Sequence, residues 1–163
     1  MSRNHGDPAS SWWGNTAPPT VVALSAVTWT GVFFTVTAAL RVAGFRVYSP
    51  GSRTGNRFAM LWNQTDDSIM SVYCWKDGTS PASPSWEQTW CRPWQHLITG
   101  KTYGLAVRND QDYYRHNAFL GTPVTVGKIT FVSSFQSTAV DPMTVTLTTN
   151  TNANGVDVLY YSP

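Results

Sequence analysis

Trp86, Trp90 and Trp94 recur every four residues through SWEQTWCRPW. Side chains alternate along an extended strand, so residues at even separations share a face. A row of indoles on one face suits sugar binding, because an aromatic ring stacks on the C–H face of a pyranose and leaves its hydroxyls free to hydrogen-bond. The same rings also suit a sandwich core, since Trp is highly buried on average, and Pro93 would end the strand before Trp94. Cys91 sets the sense of Trp90: a strand that buries the thiol turns the neighbouring indole outward.

A second cluster runs Asn109-Asp110-Gln111-Asp112-Tyr113-Tyr114-Arg115-His116-Asn117. Asp110 and Asp112 could offer oxygens to a calcium ion, but Asp and Asn also favour turns through their own hydrogen bonds, and the plainer reading is a polar hairpin. No metal and no cofactor are expected. Tyr113, Tyr114 and Arg115, at the edge of that turn, join Trp90 as candidate contacts for a glycan or a protein.

Catalysis has little to work with. Glu87 is the only glutamate, and a glycosidase needs two carboxyl groups, so Glu87 would have to pair with Asp110 or Asp112. His96 or His116 could serve a Ser-His-Asp arrangement, but no GxSxG elbow accompanies them. The chain reads as a binding or structural protein rather than an enzyme.

Composition narrows the partners further. The formal net charge is +2, with Arg scattered along the chain, whereas nucleic-acid binders concentrate basic residues on one stripe. The most apolar region, Val21 to Val47, is broken by Ser25, Thr28, Thr30, Thr35, Thr37, Arg41 and Arg46, so neither nucleic acid nor membrane insertion is expected. Cys74 and Cys91 lack the spacing of a zinc knuckle or a redox pair; they form one disulfide or remain buried thiols, and cytosolic synthesis favours the thiols.

The elements that must position these residues are strands. Thr28 to Val36, Leu40 to Tyr48, Arg57 to Gln64, Ile69 to Lys76, Trp86 to Arg92, Thr102 to Arg108, Tyr113 to Phe119, Val126 to Phe135, Thr144 to Thr149 and Val156 to Tyr161 are rich in β-formers and separated by turn residues. No window has the helical period. The predicted fold is all-β, a jelly-roll-like antiparallel sandwich over residues 20–163 with an extended N-terminal arm over residues 1–19. Trp12 and Trp13 would not float free on such an arm; they pack on the parent domain or dock into a neighbouring subunit. The docking reading expects arm deletion to abolish assembly while leaving the sandwich folded. Asp7, Pro8, Asn15, Pro18 and Pro19 interrupt every apolar run that a secretion signal would need.

Several stretches resemble a bacterial β-sandwich family known only as a domain of unknown function. Gly44-Phe45-Arg46-Val47-Tyr48, Leu61-Trp62, Trp86-Glu87-Gln88 leading through Leu97 to Thr102-Tyr103, and Asn154-Gly155-Val156-Asp157-Val158 follow the order of its GIRFY-like, LW, GWQ-like, TTY-like and NYWVDV-like motifs across residues 26–163. Gly155 stands where that pattern has an aromatic, and Ser85 replaces the glycine before the Trp. The resemblance implies a jelly-roll-like sandwich with an adhesive or sugar-contacting role, and no catalytic residues. A copy with a Trp-bearing arm and no signal peptide is similar to a minor tail or decoration protein of a bacteriophage. The expectation is therefore a virion component made in the host cytoplasm, most of all a minor tail or tail-tip protein with host-surface adhesion. Its partners would be other virion proteins, further copies of itself and a cell-surface glycan. A capsid decoration protein and a carbohydrate-binding or adhesion module are the alternatives.

Overall fold

The computed structural model describes residues 10–12, 17–18, 20–23, 26–49, 57–75, 84–109, 113–116, 123–145, 153–154 and 156–161. Its strands are β1 (Ser10–Ser11), β2 (Thr20–Val22), β3 (Thr28–Val36), β4 (Leu40–Ser49), β5 (Arg57–Asn63), β6 (Ser68–Trp75), β7 (Ser85–Leu97), β8 (Thr102–Asn109), β9 (Tyr113–His116), β10 (Val124–Val126), β11 (Ile129–Ser137), β12 (Ala153–Asn154) and β13 (Val156–Tyr161). Two antiparallel sheets face each other, one ordered β1-β13-β4-β7 and the other β10-β11-β3-β8-β5-β6, and a small sheet β12-β9-β2 accompanies them. The chain passes directly from one large sheet to the other after β3, β4, β6 and β7, and by way of the small sheet between β1 and β3 and between β11 and β13, which gives the expected jelly-roll-like sandwich.

Alternation explains why these segments become two-faced strands. Val32, Phe34 and Val36 on β3 meet Leu40, Val42, Phe45 and Val47 on β4, with Leu105 and Val107 on β8 and Val156, Val158 and Tyr160 on β13 completing one buried cluster. The outer face of the six-stranded sheet holds a second cluster of Trp29, Phe33, Trp62, Ala106 and Phe135. Two glycines make that cluster possible, because a Cβ at Gly31 would enter the Phe135 ring and one at Gly104 would enter the Trp62 ring. Met143 and Val145 pack over this layer. They arrive there through a single 3-10 turn at Pro142–Thr144, where a strand from Thr144 was predicted; Asp141 caps the turn by accepting from the Met143 N–H at 2.9 Å, and Pro142 fixes its first residue. The rest of that predicted strand, residues 146–149, lies outside the described residues.

Two further boundaries differ from the sequence reading. The single strand predicted over Val126 to Phe135 is a hairpin of β10 and β11, turned at Gly127 with φ +60°. Only glycine adopts that φ at no steric cost. β7 continues through Pro93 to Leu97, beyond the predicted stop at Arg92. Its pairing with β4 passes from Gly44↔Trp90 to Val42↔Gln95, so Cys91, Arg92, Pro93 and Trp94 stand opposite Ala43 alone. β7 is an edge strand, so the N–H that Pro93 lacks leaves no neighbour unpaired on the outer side.

β1 and Trp12 precede the boundary drawn at residue 19, yet they are integral to the sandwich. Ser10 and Ser11 pair with Tyr160 and Leu159. Trp12 then turns between the sheets, its ring centroid 5.6 Å from Phe34 and 5.4 Å from Phe131. The reading that Trp12 docks into another subunit is therefore corrected: its own core encloses it, leaving 3% of its surface exposed. Trp13 lies outside the described residues.

Candidate functional site

The outer face of the four-stranded sheet carries the aromatic surface. Cross-strand pairs lie side by side on the same face, so the register His96↔Arg41↔Tyr161 sets three outward residues in a row across β7, β4 and β13. A second row follows from Trp90↔Gly44↔Leu159. Gly44 lies roughly 10 Å along β4 from Arg41, at about 3.3 Å per residue. Trp94 leaves the β7 bulge and stacks on Tyr161 with ring centroids 5.3 Å apart and planes inclined by 30°. β4 runs between the two strands that carry these rings, with Ala43 opposite the bulge and Arg41 opposite Tyr161. Trp90, in the neighbouring row on the same face, has 46% of its surface exposed, and Arg41, His96 and Gln88 are exposed on that face as well.

Further along the same face the aromatics are structural. The Arg46 guanidinium lies 4.4 Å from the Trp86 ring centroid. It donates from Nε at 2.8 Å and from Nη2 at 2.6 Å to Asp157 Oδ2, and from Nη2 at 2.6 Å to Ser11 Oγ. Asp157 Oδ1 accepts from the backbone N–H groups of Trp12 at 2.7 Å and Val158 at 2.8 Å. One buried ion pair thus ties β1, β4 and β13 together, with Trp86 lying over the cation and Tyr48 packed edge-on against Trp86 at 5.4 Å. Charge-assisted bonds to a fully desolvated carboxylate are the strong kind.

The three indoles that share parity in sequence therefore divide. Trp90 is the exposed one, Trp94 joins it through the bulge, and Trp86 is bound up with Arg46. The reading of Trp86 and Trp94 as core is corrected, since both are half-buried on the outer face and neither belongs to a buried cluster. Trp90 and the stretch Tyr113, Tyr114, Arg115 do not share a sheet: the latter form β9, whose backbone pairs with β2 and β12. Their side chains, together with Asp110 and Asp112, lie outside the described residues. Sequence reasoning missed Arg41, His96 and Tyr161 as a unit, because only strand register brings them together and nothing in the local sequence reports register.

Glu87 alternates inward from Trp86 and forms an ion pair with Arg57 of the facing sheet at 3.5 Å, both side chains being buried. Its carboxylate is committed to joining the sheets and does not reach the aromatic face. Among the described residues no group of three or more His, Cys, Asp or Glu converges as a metal site requires.

Cys91 is a free thiol in the core. Burial pushes its pKa up from 9.0 to about 12, against a hydrogen bond with Ser71 that favours the thiolate. The thiolate is the reactive form, so in a Cys74→Ala background native protein at pH 8 is expected to resist iodoacetamide while urea-unfolded protein is alkylated within minutes, as mass spectrometry would record. The unfolded thiol ionises near its ordinary pKa and the folded one only near 12. The stability gained by keeping it neutral is therefore complete below about pH 9 and is lost as the pH rises towards 12.

No family model matches the chain, and no curated protein matches it.

Proposed function

We propose that this protein is a non-enzymatic adhesion module that binds glycans on the outer face of its four-stranded sheet, serving as a tail or tail-tip component of a bacteriophage particle. The observation that carries the binding reading is Trp90 standing exposed on the face that also holds the stacked Trp94–Tyr161 pair, on a paired sheet. An indole exposed to water costs free energy unless a partner covers it, and rings fixed by strand pairing lose little freedom on binding. Polar side chains at the rim, Arg41, His96 and Gln88, supply the hydrogen bonds that give direction to a stacked sugar. The particle assignment rests on the sequence, through its resemblance to phage tail and surface modules.

Trp90→Ala and Trp94→Ala tested on a glycan array, and in adsorption assays of particles carrying them, decide the matter. Each change is expected to weaken binding at least tenfold, while Trp90→Ala shifts the melting temperature by only a few degrees because the ring is not in the core. Undiminished binding by both variants would falsify the site.

A further inference from the structure

Taking the glycan reading of this face as its ground, we infer that the sugar it binds carries an anionic group, a carboxylate or a phosphate, held by Arg41 and His96 while its ring stacks on Trp90 or Trp94. Among the described residues the exposed charge on this face has one sign. Among the described residues, the carboxylates on strands of the four-stranded sheet are Glu87 and Asp157, and both are buried in ion pairs, with Arg57 and Arg46. Neither offers an exposed negative charge. The other described carboxylates, Asp66, Asp67 and Asp141, belong to the β5–β6 turn and the segment after β11, both outside this sheet, and Asp66 is held by Lys101 at 2.5 Å.

Arg41 and His96 are different. They are direct cross-strand neighbours on the exposed face, and among the described residues neither has an ion-pair partner. A guanidinium offers a planar fork of N–H donors that matches a carboxylate or a phosphate, and the imidazole adds another N–H. Tyr161 completes the row on the far side of Arg41 and brings with it the stacked ring of Trp94. Anion contact and ring contact are thus adjacent, the arrangement that a pyranose with an acidic substituent fills.

The test measures affinity of the full chain for oligogalacturonate, for the same oligosaccharide with its carboxylates methyl-esterified, and for a glycosylated poly(glycerol phosphate). At least one anionic probe is expected to bind about tenfold tighter than the ester, in keeping with the strength of charge-assisted hydrogen bonds, and to lose that advantage in high salt. Which of the two anionic probes wins identifies carboxylate or phosphate as the source. The double variant Arg41→Ala/His96→Ala should bring the anionic probe down to the level of the ester without lowering the melting temperature, whereas Trp90→Ala should weaken all three. Binding of both anionic probes no tighter than the ester overturns the anionic preference and leaves the glycan reading standing. An anionic preference that survives the double variant overturns the assignment to Arg41 and His96. Failure of all three probes to bind overturns both readings.

Discussion

Trp12→Ala is expected to destabilise the protein by about 3 to 5 kcal/mol, the cost of removing a large aromatic from a packed core. Single domains are stable by only about 5 to 15 kcal/mol in total, so this one side chain near the N-terminus decides a large share of the balance. The physical cause is its position between the sheets against Phe34 and Phe131, with few routes for the surroundings to collapse into the space it leaves. Deleting residues 1–12 should do at least as much damage, because the β1 pairing with β13 and the hydrogen bond from the Trp12 N–H to Asp157 go as well. Urea denaturation of both variants supplies the measurement. A deletion variant that unfolds at the same urea concentration as the full chain would show that the arm is an appendage, as its composition suggests.

Asp157→Ala should be equally severe, at about 3 to 5 kcal/mol, because it leaves the Arg46 guanidinium buried without its counter-ion. Two backbone N–H groups lose their acceptor in the same step. The double variant Arg46→Met/Asp157→Leu removes both charges together and is expected to recover much of the loss, since a buried ion pair and a well-packed apolar pair are often of similar worth. Thermal unfolding of Arg46→Met, Asp157→Leu and the double variant gives the coupling directly. If the double variant is no more stable than Asp157→Ala, the loss comes from the carboxylate's bonds to the backbone rather than from the stranded cation. Trp12 and Asp157 are hydrogen-bonded to each other, so their separate costs will not add.

What the sequence made legible was set by local chemistry. Runs such as TWTGVFFTV and LRVAGFRVYS announce themselves as strands because alternation and β-branching act over a few residues. The outward sense of Trp90 followed from its neighbour Cys91 for the same reason. Pro93 misled because the rule against proline in strands assumes a partner on both sides, and β7 has a free side where the chain can bulge. Composition drew the domain boundary too late: a segment rich in Ser, Pro and Asn reads as an arm, but the pairing of Ser10 and Ser11 with β13, the bond from Arg46 to Ser11 and the buried ring of Trp12 make residues 10–12 part of the sandwich. The row of His96, Arg41 and Tyr161 comes from three strands far apart in sequence, and register between distant strands is settled by the whole core rather than by any one of them.

The four-against-one stretch of β7 opposite Ala43 has a bearing on how such a surface diverges. The ladder is in step on both sides of it, from Ser85 to Trp90 and again from Gln95 to Leu97, so a residue gained or lost between Cys91 and Trp94 need not be passed on to the rest of the sheet. What changes is where the ring of Trp94 lands relative to Trp90. The bulge on β7 thus lies on a different strand from Arg46 on β4 and Asp157 on β13. On the glycan reading proposed above, a change in this short stretch would alter what the face accepts, while Trp12, Arg46 and Asp157 continue to hold the fold.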